Sequence, residues 1–130
     1  MSDERAQLKV LLYSDDVETR RAVMDAVGVR AAAGMAPVEW VEAATAEGAV
    51  TKFAENQIDA LILDGETQKE GGMAVLRRLH VEHDNVAPAM VLIARPQDEW
   101  LARFAGSSKV ITTPLDPIEV RQALAELLQK

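Results

Sequence analysis

Cysteine is absent from this chain, and aromatic residues are scarce. None of the 130 residues is a cysteine, which excludes disulfides, thiolate metal ligands and a cysteine nucleophile. Only 4% of the residues are aromatic, whereas 48% are hydrophobic. This balance predicts a core of Val, Leu, Ile, Ala and Met, which is typical of buried parallel strands and the helices that cover them. A chain of this length is expected to form one compact domain.

Long hydrophobic runs and an excess of basic residues are also missing. No apolar stretch approaches the roughly 20 residues that span a bilayer, and the N-terminal segment MSDERAQ lacks the apolar middle of a signal peptide. These features predict a cytoplasmic protein. With 14 Lys and Arg against 21 Asp and Glu, the formal net charge is −7. Nucleic-acid and membrane partners are therefore not expected, because both require clustered positive charge. A protein or a small ligand is the expected partner.

Five short apolar runs alternate with segments of helical periodicity. The runs cover residues 8–14, 38–43, 59–64, 88–94 and 108–114, and helices are predicted near 18–30, 45–55, 72–83, 97–105 and 116–129. The third and fourth runs are almost continuously apolar, which is typical of central strands covered on both faces. Strands that alternate with helices predict parallel pairing through right-handed crossovers. The predicted fold is a five-stranded, doubly wound α/β sheet.

Local signals predict several helix ends and faces. Asp116 followed by Pro117 predicts the N-cap and first residue of the last helix, and Thr45 is the candidate N-cap of the second helix. The segment VGVRAAAGMAP is either an extension of the first helix to about Ala33, capped by Gly34, or a loop; the extension is favoured. The last helix is predicted to face the core through these residues: Ile118, Val120, Leu124, Leu127 and Leu128.

Acidic residues follow the first and third strands. Asp15 and Asp16 come directly after Ser14 at the end of the first strand, and Asp64 closes the third. Ligands of such sheets bind at the carboxyl ends of the strands, so these carboxylates would crowd together if the two strands were neighbours. Oxygen ligands without His or Cys suit Mg²⁺, and Asp64 would then be a candidate nucleophile. In the alternative, the acids form turns and Asp16 caps the next helix.

The order and spacing of these segments, from about Leu8 to Leu128, resemble the receiver domain of two-component response regulators. LKVLLYSDDVETRRAVMDAVG resembles the first strand, acidic turn and first helix of that family, and GAVTKFAENQIDALILDGE resembles the region that ends in its phosphoacceptor aspartate. PAMVLIAR and VITTPLDPIEVRQAL match the fourth strand and the final strand, proline turn and helix. The resemblance implies a flavodoxin-like, CheY-like (βα)5 fold with strand order 2-1-3-4-5. Residues 1–7 are predicted to be disordered, and residues 8–130 are predicted to form a single receiver-like domain without an output domain.

The resemblance also implies a role for each acid at this edge. Asp64 falls at the phosphoacceptor position, Asp15 at that of a direct Mg²⁺ ligand, and Ser14 at the other member of the acidic pair, which is normally Asp or Glu. Asp16 falls where many members carry a third acid. Glu66, two residues after the phosphoacceptor, would lend its backbone carbonyl to the metal. A weak Mg²⁺ site formed by Asp15, Asp16, Asp64 and Glu66 is implied.

Besides Ser14, three positions depart from the family pattern. Ile93 stands where the family has a Ser or Thr whose hydroxyl binds the phosphoryl group and drives the switch. Thr113, before Pro114, stands where the family has a lysine before a proline that is often cis. Gln68 stands where the family has a proline after the phosphoacceptor turn. Two of these departures, at Ile93 and Thr113, remove groups that bind the phosphoryl oxygens, so they predict impaired phosphorylation.

Two basic residues are candidate replacements for the missing lysine. Lys109 lies four residues before Thr113, roughly 13 Å away along a strand, and is not expected to reach the site. Arg95 follows the fourth strand and is long enough to bend in. In the alternative, which we favour, Arg95 is a solvated loop residue.

The implied function is a stand-alone, atypical receiver-like protein in phosphorelay signalling that is not an enzyme and acts mainly through protein–protein interaction. In the main alternative, Asp64 takes a phosphoryl group from a histidine kinase; a small enzyme on the same fold is a remote alternative. Trp100 is a candidate interface residue, since the family's usual partner or dimer face includes the fourth helix, and a homodimer is an expected assembly. Leu101 and Phe104 of that helix are predicted to lie in the core.

Overall fold

The computed structural model describes residues 6–67 and 70–129, where strands and helices alternate along the chain. The elements are β1 (Leu8–Tyr13), α1 (Val17–Val27), β2 (Val38–Ala43), α2 (Ala46–Glu55), β3 (Ala60–Asp64), α3 (Gly72–Glu82), β4 (Ala89–Ile93), α4 (Glu99–Phe104), β5 (Lys109–Thr112) and α5 (Pro117–Leu128), with a 3₁₀ turn at Pro96–Asp98 before α4. Residues 1–5, part of the segment predicted to be disordered, and Gln68 lie outside the described residues.

The five strands form one parallel sheet in the order β2-β1-β3-β4-β5. This confirms the predicted fold, including the strand order. Every residue of β3 and β4 is buried, as their nearly continuous apolar sequences predicted. Because β1 pairs with β3, Tyr13 lies opposite Leu63. The residue that follows β1 and the last residue of β3, Ser14 and Asp64, therefore meet at the carboxyl edge of the sheet.

The helices cover the two faces of the sheet and produce two apolar layers. Alternate strand residues point to opposite faces, so Leu12 and Ile62 pack with α1 and α5, whereas Leu11 and Leu63 pack with α2, α3 and α4. Both layers are built almost entirely from aliphatic side chains. No helix in the described part of the chain is long and apolar enough to cross a lipid bilayer.

Both predicted N-caps are present. The carboxylate of Asp116 accepts a hydrogen bond from the Ile118 backbone N–H at 3.0 Å, with Pro117 as the first residue of α5, and the Thr45 hydroxyl accepts one from the Gly48 N–H at 3.0 Å. The prediction that Ile118 faces the core is wrong, since it is 76% exposed; it lies in the first turn of α5, on the side away from the sheet. The other residues of the predicted stripe are buried: Val120, Leu124, Leu127 and Leu128.

The favoured extension of α1 to Ala33 is wrong. The helix ends at Val27, and Gly28 follows with a φ of 75°, a left-handed conformation that glycine adopts without the strain of a β-carbon. The Gly28 N–H still donates to the Met24 carbonyl at 2.9 Å. The chain then turns through residues 28–37 and enters β2 with a hydrogen bond from the Val38 N–H to the Val29 carbonyl at 2.8 Å.

The prediction that Leu101 and Phe104 lie in the core is also wrong. Leu101 is 40% exposed and Phe104 is 76% exposed. Helix α4 has only six residues. It docks through the small side chain of Ala102, and Ala105 directly after the helix packs in the same apolar layer. The bulky side chains of this region, including Trp100 at 66% exposure, therefore remain in contact with solvent.

Candidate functional site

Asp64 lies at the carboxyl edge of the sheet, where two hydrogen bonds orient its carboxylate. The side chain is nearly buried, at 7% exposure. Its Oδ2 accepts from the Ser14 hydroxyl at 2.8 Å, and its Oδ1 accepts from the Glu66 backbone N–H at 2.9 Å. One donor comes from the end of β1 and the other from the turn after β3. The carboxylate is therefore held in one orientation by two different segments.

Ser14 is fully buried and joins the acidic turn to Asp64. Its hydroxyl oxygen also accepts from the Asp16 backbone N–H at 3.1 Å. The Ser14 carbonyl accepts a 2.7 Å hydrogen bond from the guanidinium of Arg20, which also pairs with Glu42 at 2.9 Å. The role of Arg20 was not predicted from the sequence. It lies one turn into α1, opposite an acid near the end of β2, and its pairing can be predicted only once the strand order is known.

Asp16 is the N-cap of α1. Its Oδ1 accepts from the Glu18 backbone N–H at 3.0 Å, and its Oδ2 accepts from the Thr19 hydroxyl at 3.0 Å. Both carboxylate oxygens are therefore engaged within the first turn of the helix. This geometry matches the alternative in which Asp16 caps the helix, and it differs from that of a carboxylate directed at a metal ion.

The side chain of Glu66 bridges two strand ends. Its backbone N–H donates to Asp64, while its carboxylate Oε2 accepts from the Ala94 backbone N–H at 3.1 Å. Ala94 is the first residue after β4. From the sequence, Glu66 was expected to contribute a backbone carbonyl and extra negative charge; the contact between its side chain and Ala94 was not predicted. The turn after β3 is thereby tied to the end of β4.

An open pocket of about 700 Å³ brings most of the predicted site residues together. It is lined by Asp15, Asp16, Thr19, Asp64, Glu66, Leu92, Ala94 and Thr113. Ile93 is not part of this lining, and its side chain packs in the apolar layer with α2, α3 and α4. The Ile93 carbonyl accepts from the Thr113 N–H at 2.8 Å, and the peptide bond between Thr113 and Pro114 is cis.

The two basic residues considered as replacements for lysine are both paired elsewhere. Arg95 contacts Asp98, with 3.1 Å between Nη2 and Oδ1, and its side chain is 65% exposed. The hydrogen bonds that the Arg95 guanidinium donates to the Asp98 carboxylate raise the pKa of Arg95 above its ordinary value. Lys109 pairs with Glu126 on α5. Arg95 thus has the geometry of a solvated loop residue, and the described lining of the pocket contains no Lys or Arg.

The described carboxylates of this pocket do not form a cluster of three metal ligands. Among the residues that the structure describes, no three His, Asp or Glu side chains are arranged to hold a metal ion. Asp16 caps α1, the Glu66 carboxylate is bonded to a backbone amide, and Ser14 supplies a hydroxyl where a carboxylate would bind Mg²⁺ more strongly. The Mg²⁺ site predicted from the sequence at Asp15, Asp16, Asp64 and Glu66 stays a prediction.

Replacing Ser14 by Asp is expected to make the stability of the protein depend on Mg²⁺. Without the metal, a second buried carboxylate beside Asp64 should lower the free energy of unfolding by about 2 kcal/mol through desolvation and like-charge repulsion. Millimolar Mg²⁺ should recover most of this loss. Thermal unfolding with Mg²⁺ or with a chelator measures the effect, and Ser14→Asn is the neutral control of similar size. A wild-type melting temperature that rises with Mg²⁺ as much as that of the Ser14→Asp protein would contradict this expectation.

Relatives of the chain are response regulators. No protein-family model matches it. An uncharacterised response regulatory protein of Mycobacterium tuberculosis strain H37Rv is 36% identical over 129 residues, which cover 99% of this chain and 97% of that protein. The counterpart from strain CDC 1551 is equally similar. The chain belongs to the response-regulator receiver family. The resemblance inferred from the sequence is confirmed, and this receiver is part of two-component signalling.

Solved structures share the fold of the receiver. The receiver domain of Francisella response regulator 1452 superposes with a TM-score of 0.79 at 19% identity, covering 93% of this chain and 96% of that one. The chemotaxis protein CheY4 of Vibrio cholerae gives a TM-score of 0.75 at 22% identity, with 95% and 100% covered. At these identities the likeness establishes the fold alone. Receiver domains in general are not enzymes and bind Mg²⁺ at the phosphorylation site.

Proposed function

We propose that this receiver acts mainly by binding a protein partner and is not an enzyme, and that Asp64 is phosphorylated slowly or not at all. The observation that carries the proposal is the charge of the pocket, whose described lining includes Asp15, Asp16 and Glu66 but no Lys or Arg. Transfer of a phosphoryl group depends on positioning and on neutralising the charge of its oxygens. Thr113 cannot supply the positive charge of a lysine, so an incoming phosphoryl group would meet mainly negative charge.

The absence of a switching hydroxyl supports the same proposal. Ile93 is fully buried among apolar side chains, and it offers no hydrogen bond to a phosphoryl group on Asp64. A modification shifts a conformational equilibrium only if the added group makes different contacts in the two conformations. Without a hydrogen bond from the end of β4 to the phosphoryl group, phosphorylation would have little effect on the surface that a partner binds.

The main alternative is a receiver that accepts a phosphoryl group from a histidine kinase. It is favoured by the orientation of Asp64, which lines the pocket and is held by Ser14 and Glu66. Weak Mg²⁺ binding through Asp15 and Asp64 would accompany either function.

Incubation with acetyl phosphate and Mg²⁺ distinguishes the two functions. In this reaction an Asp64 carboxylate oxygen would attack phosphorus, the bond from phosphorus to the acetate oxygen would break, and acetate would leave. Mass spectrometry of the intact protein gives the modified fraction, with Asp64→Asn as the control. We expect wild type to remain almost as unmodified as the control. Stoichiometric, Asp64-dependent modification with a conformational change would instead establish the phosphoacceptor.

A partner surface is suggested by exposed apolar side chains on α3 and α4. Val81 is 85% exposed and Phe104 is 76% exposed, and both line an open groove of about 630 Å³ with Leu101 and Arg77. Contiguous exposed apolar surface of this kind marks interaction sites. Arg77 is exposed and forms no ion pair within the described part of the chain. We therefore propose a partner segment with an apolar face and a carboxylate, with Trp100 at the margin of the contact.

Phe104→Ser is expected to weaken partner binding by at least about tenfold, since truncation of a hot-spot side chain costs about 2 kcal/mol or more. Ile118→Ser is the matched control, because Ile118 on α5 is equally exposed, at 76%. The partner is first identified by cross-linking wild type in its native cells, and affinities are then measured with the purified partner. Sedimentation of each variant tests the homodimer. Equal losses in both variants would argue against the groove.

A further inference from the structure

We propose that Glu66 is an internal anion that controls the access of external anions to Asp64. Its carboxylate occupies a backbone N–H donor at the mouth of the pocket that an entering phosphoryl group would otherwise use. Glu66 would thus be a specificity-determining residue for the acceptor site. The inference deepens the proposed function, and the role of Glu66 in signalling rests on that function.

The contacts of Glu66 place this carboxylate beside the acceptor. Its Oε2 lies 3.1 Å from the Ala94 nitrogen, and its own N–H donates to Asp64 Oδ1 at 2.9 Å. Glu66, Ala94 and Asp64 line the same pocket. The side chain therefore reaches from the turn after β3, across the edge of the sheet, to the first residue after β4.

The chemistry of this hydrogen bond resembles that of a bound anion. Ala94 follows the last residue of β4, and its N–H donates to a carboxylate oxygen in place of a strand partner. Hydrogen bonds to charged acceptors are stronger than those between neutral groups. An external phosphoryl group would have to displace the Glu66 carboxylate from Ala94 or accept its repulsion at short range. Since the pair is exposed to solvent, displacement remains feasible, but the contact lowers the affinity of the pocket for an external anion.

Three substitutions separate the reach of Glu66 from its charge. Glu66→Asp keeps the charge but shortens the side chain by one methylene, Glu66→Gln keeps the length but removes the charge, and Glu66→Ala removes both. Glu18→Gln is the matched control for net charge, because Glu18 is an exposed acid in the first turn of α1 that pairs with Arg21.

The test uses beryllofluoride with Mg²⁺ as a probe for a phosphoryl group, followed by NMR of the full chain. Before the probe is added, the Ala94 amide proton should move upfield in Glu66→Ala and Glu66→Asp, which lose the carboxylate acceptor, and much less in Glu66→Gln. Affinity for the probe should then rise about tenfold in the Ala and Asp variants, by a smaller factor in the Gln variant, and not in Glu18→Gln.

Several results would overturn the inference. An Ala94 amide resonance that is the same in Glu66→Ala and wild type would show that the contact does not exist in solution. An equal gain of affinity in Glu18→Gln would assign the effect to net charge, and wild-type affinity in Glu66→Asp would assign it to local charge without occupancy. Failure of every variant to bind the probe would also overturn it. Stoichiometric phosphorylation of wild type would refute the proposed function alone, since the Ala94 resonance is measured without a phosphoryl donor.

Discussion

Thr113→Lys is expected to accelerate the phosphorylation of Asp64 by acetyl phosphate about a hundredfold. Thr113 lines the same pocket as Asp64, and the described lining contains no basic side chain. An ammonium group there would offset the charge on the transferred oxygens. By analogy, removing a single oxyanion-hole donor from an enzyme costs about 2.7–4 kcal/mol, or a factor of 10² to 10³ in rate. The rate is measured from the mass of the intact protein over time, at one pH and one Mg²⁺ concentration.

The neighbouring residue provides a matched control for this gain. Thr112→Lys introduces the same charge one residue earlier, at the end of β5, where the side chain points to the opposite face of the sheet. Its phosphorylation rate should stay at the wild-type level, and adding Asp64→Asn to the Thr113→Lys protein should abolish modification. If Thr113→Lys is no faster than Thr112→Lys, lack of a cation is not what limits the reaction. Ile93→Thr is a less suitable first test, because Ile93 is fully buried.

Gly72→Ala is expected to lower the free energy of unfolding by about 3 kcal/mol, at the upper end of the usual cost of overpacking a core. A β-carbon on Gly72 would lie 2.8 Å from the Leu63 β-carbon and 2.9 Å from the Asp64 carbonyl oxygen. These atoms belong to the central strand, which is packed on both faces and cannot shift cheaply. Helix α3 would have to move away from β3 beside Asp64. Urea unfolding measures the loss.

The control for this substitution is another glycine near the start of a helix. A β-carbon on Gly48 would approach only the Thr45 hydroxyl, at 2.9 Å, and alanine in a helix is favoured over glycine by about 1 kcal/mol. Gly48→Ala should therefore change the free energy of unfolding by less than about 1 kcal/mol. Equal stability of Gly72→Ala and wild type would show that α3 does not pack this closely against β3.

Two residues beside Asp64, Ser14 and Glu66, determine the hydrogen bonding of its pocket. The Ser14 hydroxyl donates a hydrogen bond to Asp64 at 2.8 Å. Glu66 adds a carboxylate that bonds to the end of β4. These contacts orient Asp64 in a pocket whose described lining has no basic group. Such a pocket suits a receiver whose output depends on its surface, and the apolar groove between α3 and α4 is the candidate surface.

Much of the fold could be read from the sequence, because the relevant signals are local. The apolar runs of β3 and β4 marked the central strands, and Asp116 and Thr45 marked helix starts through hydrogen bonds that span only two or three residues. The resemblance to receivers added the strand order, which no local signal contains. Together they predicted that Ser14 and Asp64 would meet at one edge of the sheet.

Other features were decided only by the tertiary structure. Leu101, Phe104 and Ile118 are apolar, yet they are exposed because α4 and α5 turn other residues toward the sheet. The periodicity of so short a helix as α4 does not specify which side docks. The sequence by itself thus determined which strands form and where the acids lie. The packing of the helices and the partners of Glu66 and Arg20 depend on segments far apart along the chain, and only the assembled sheet brings those segments together.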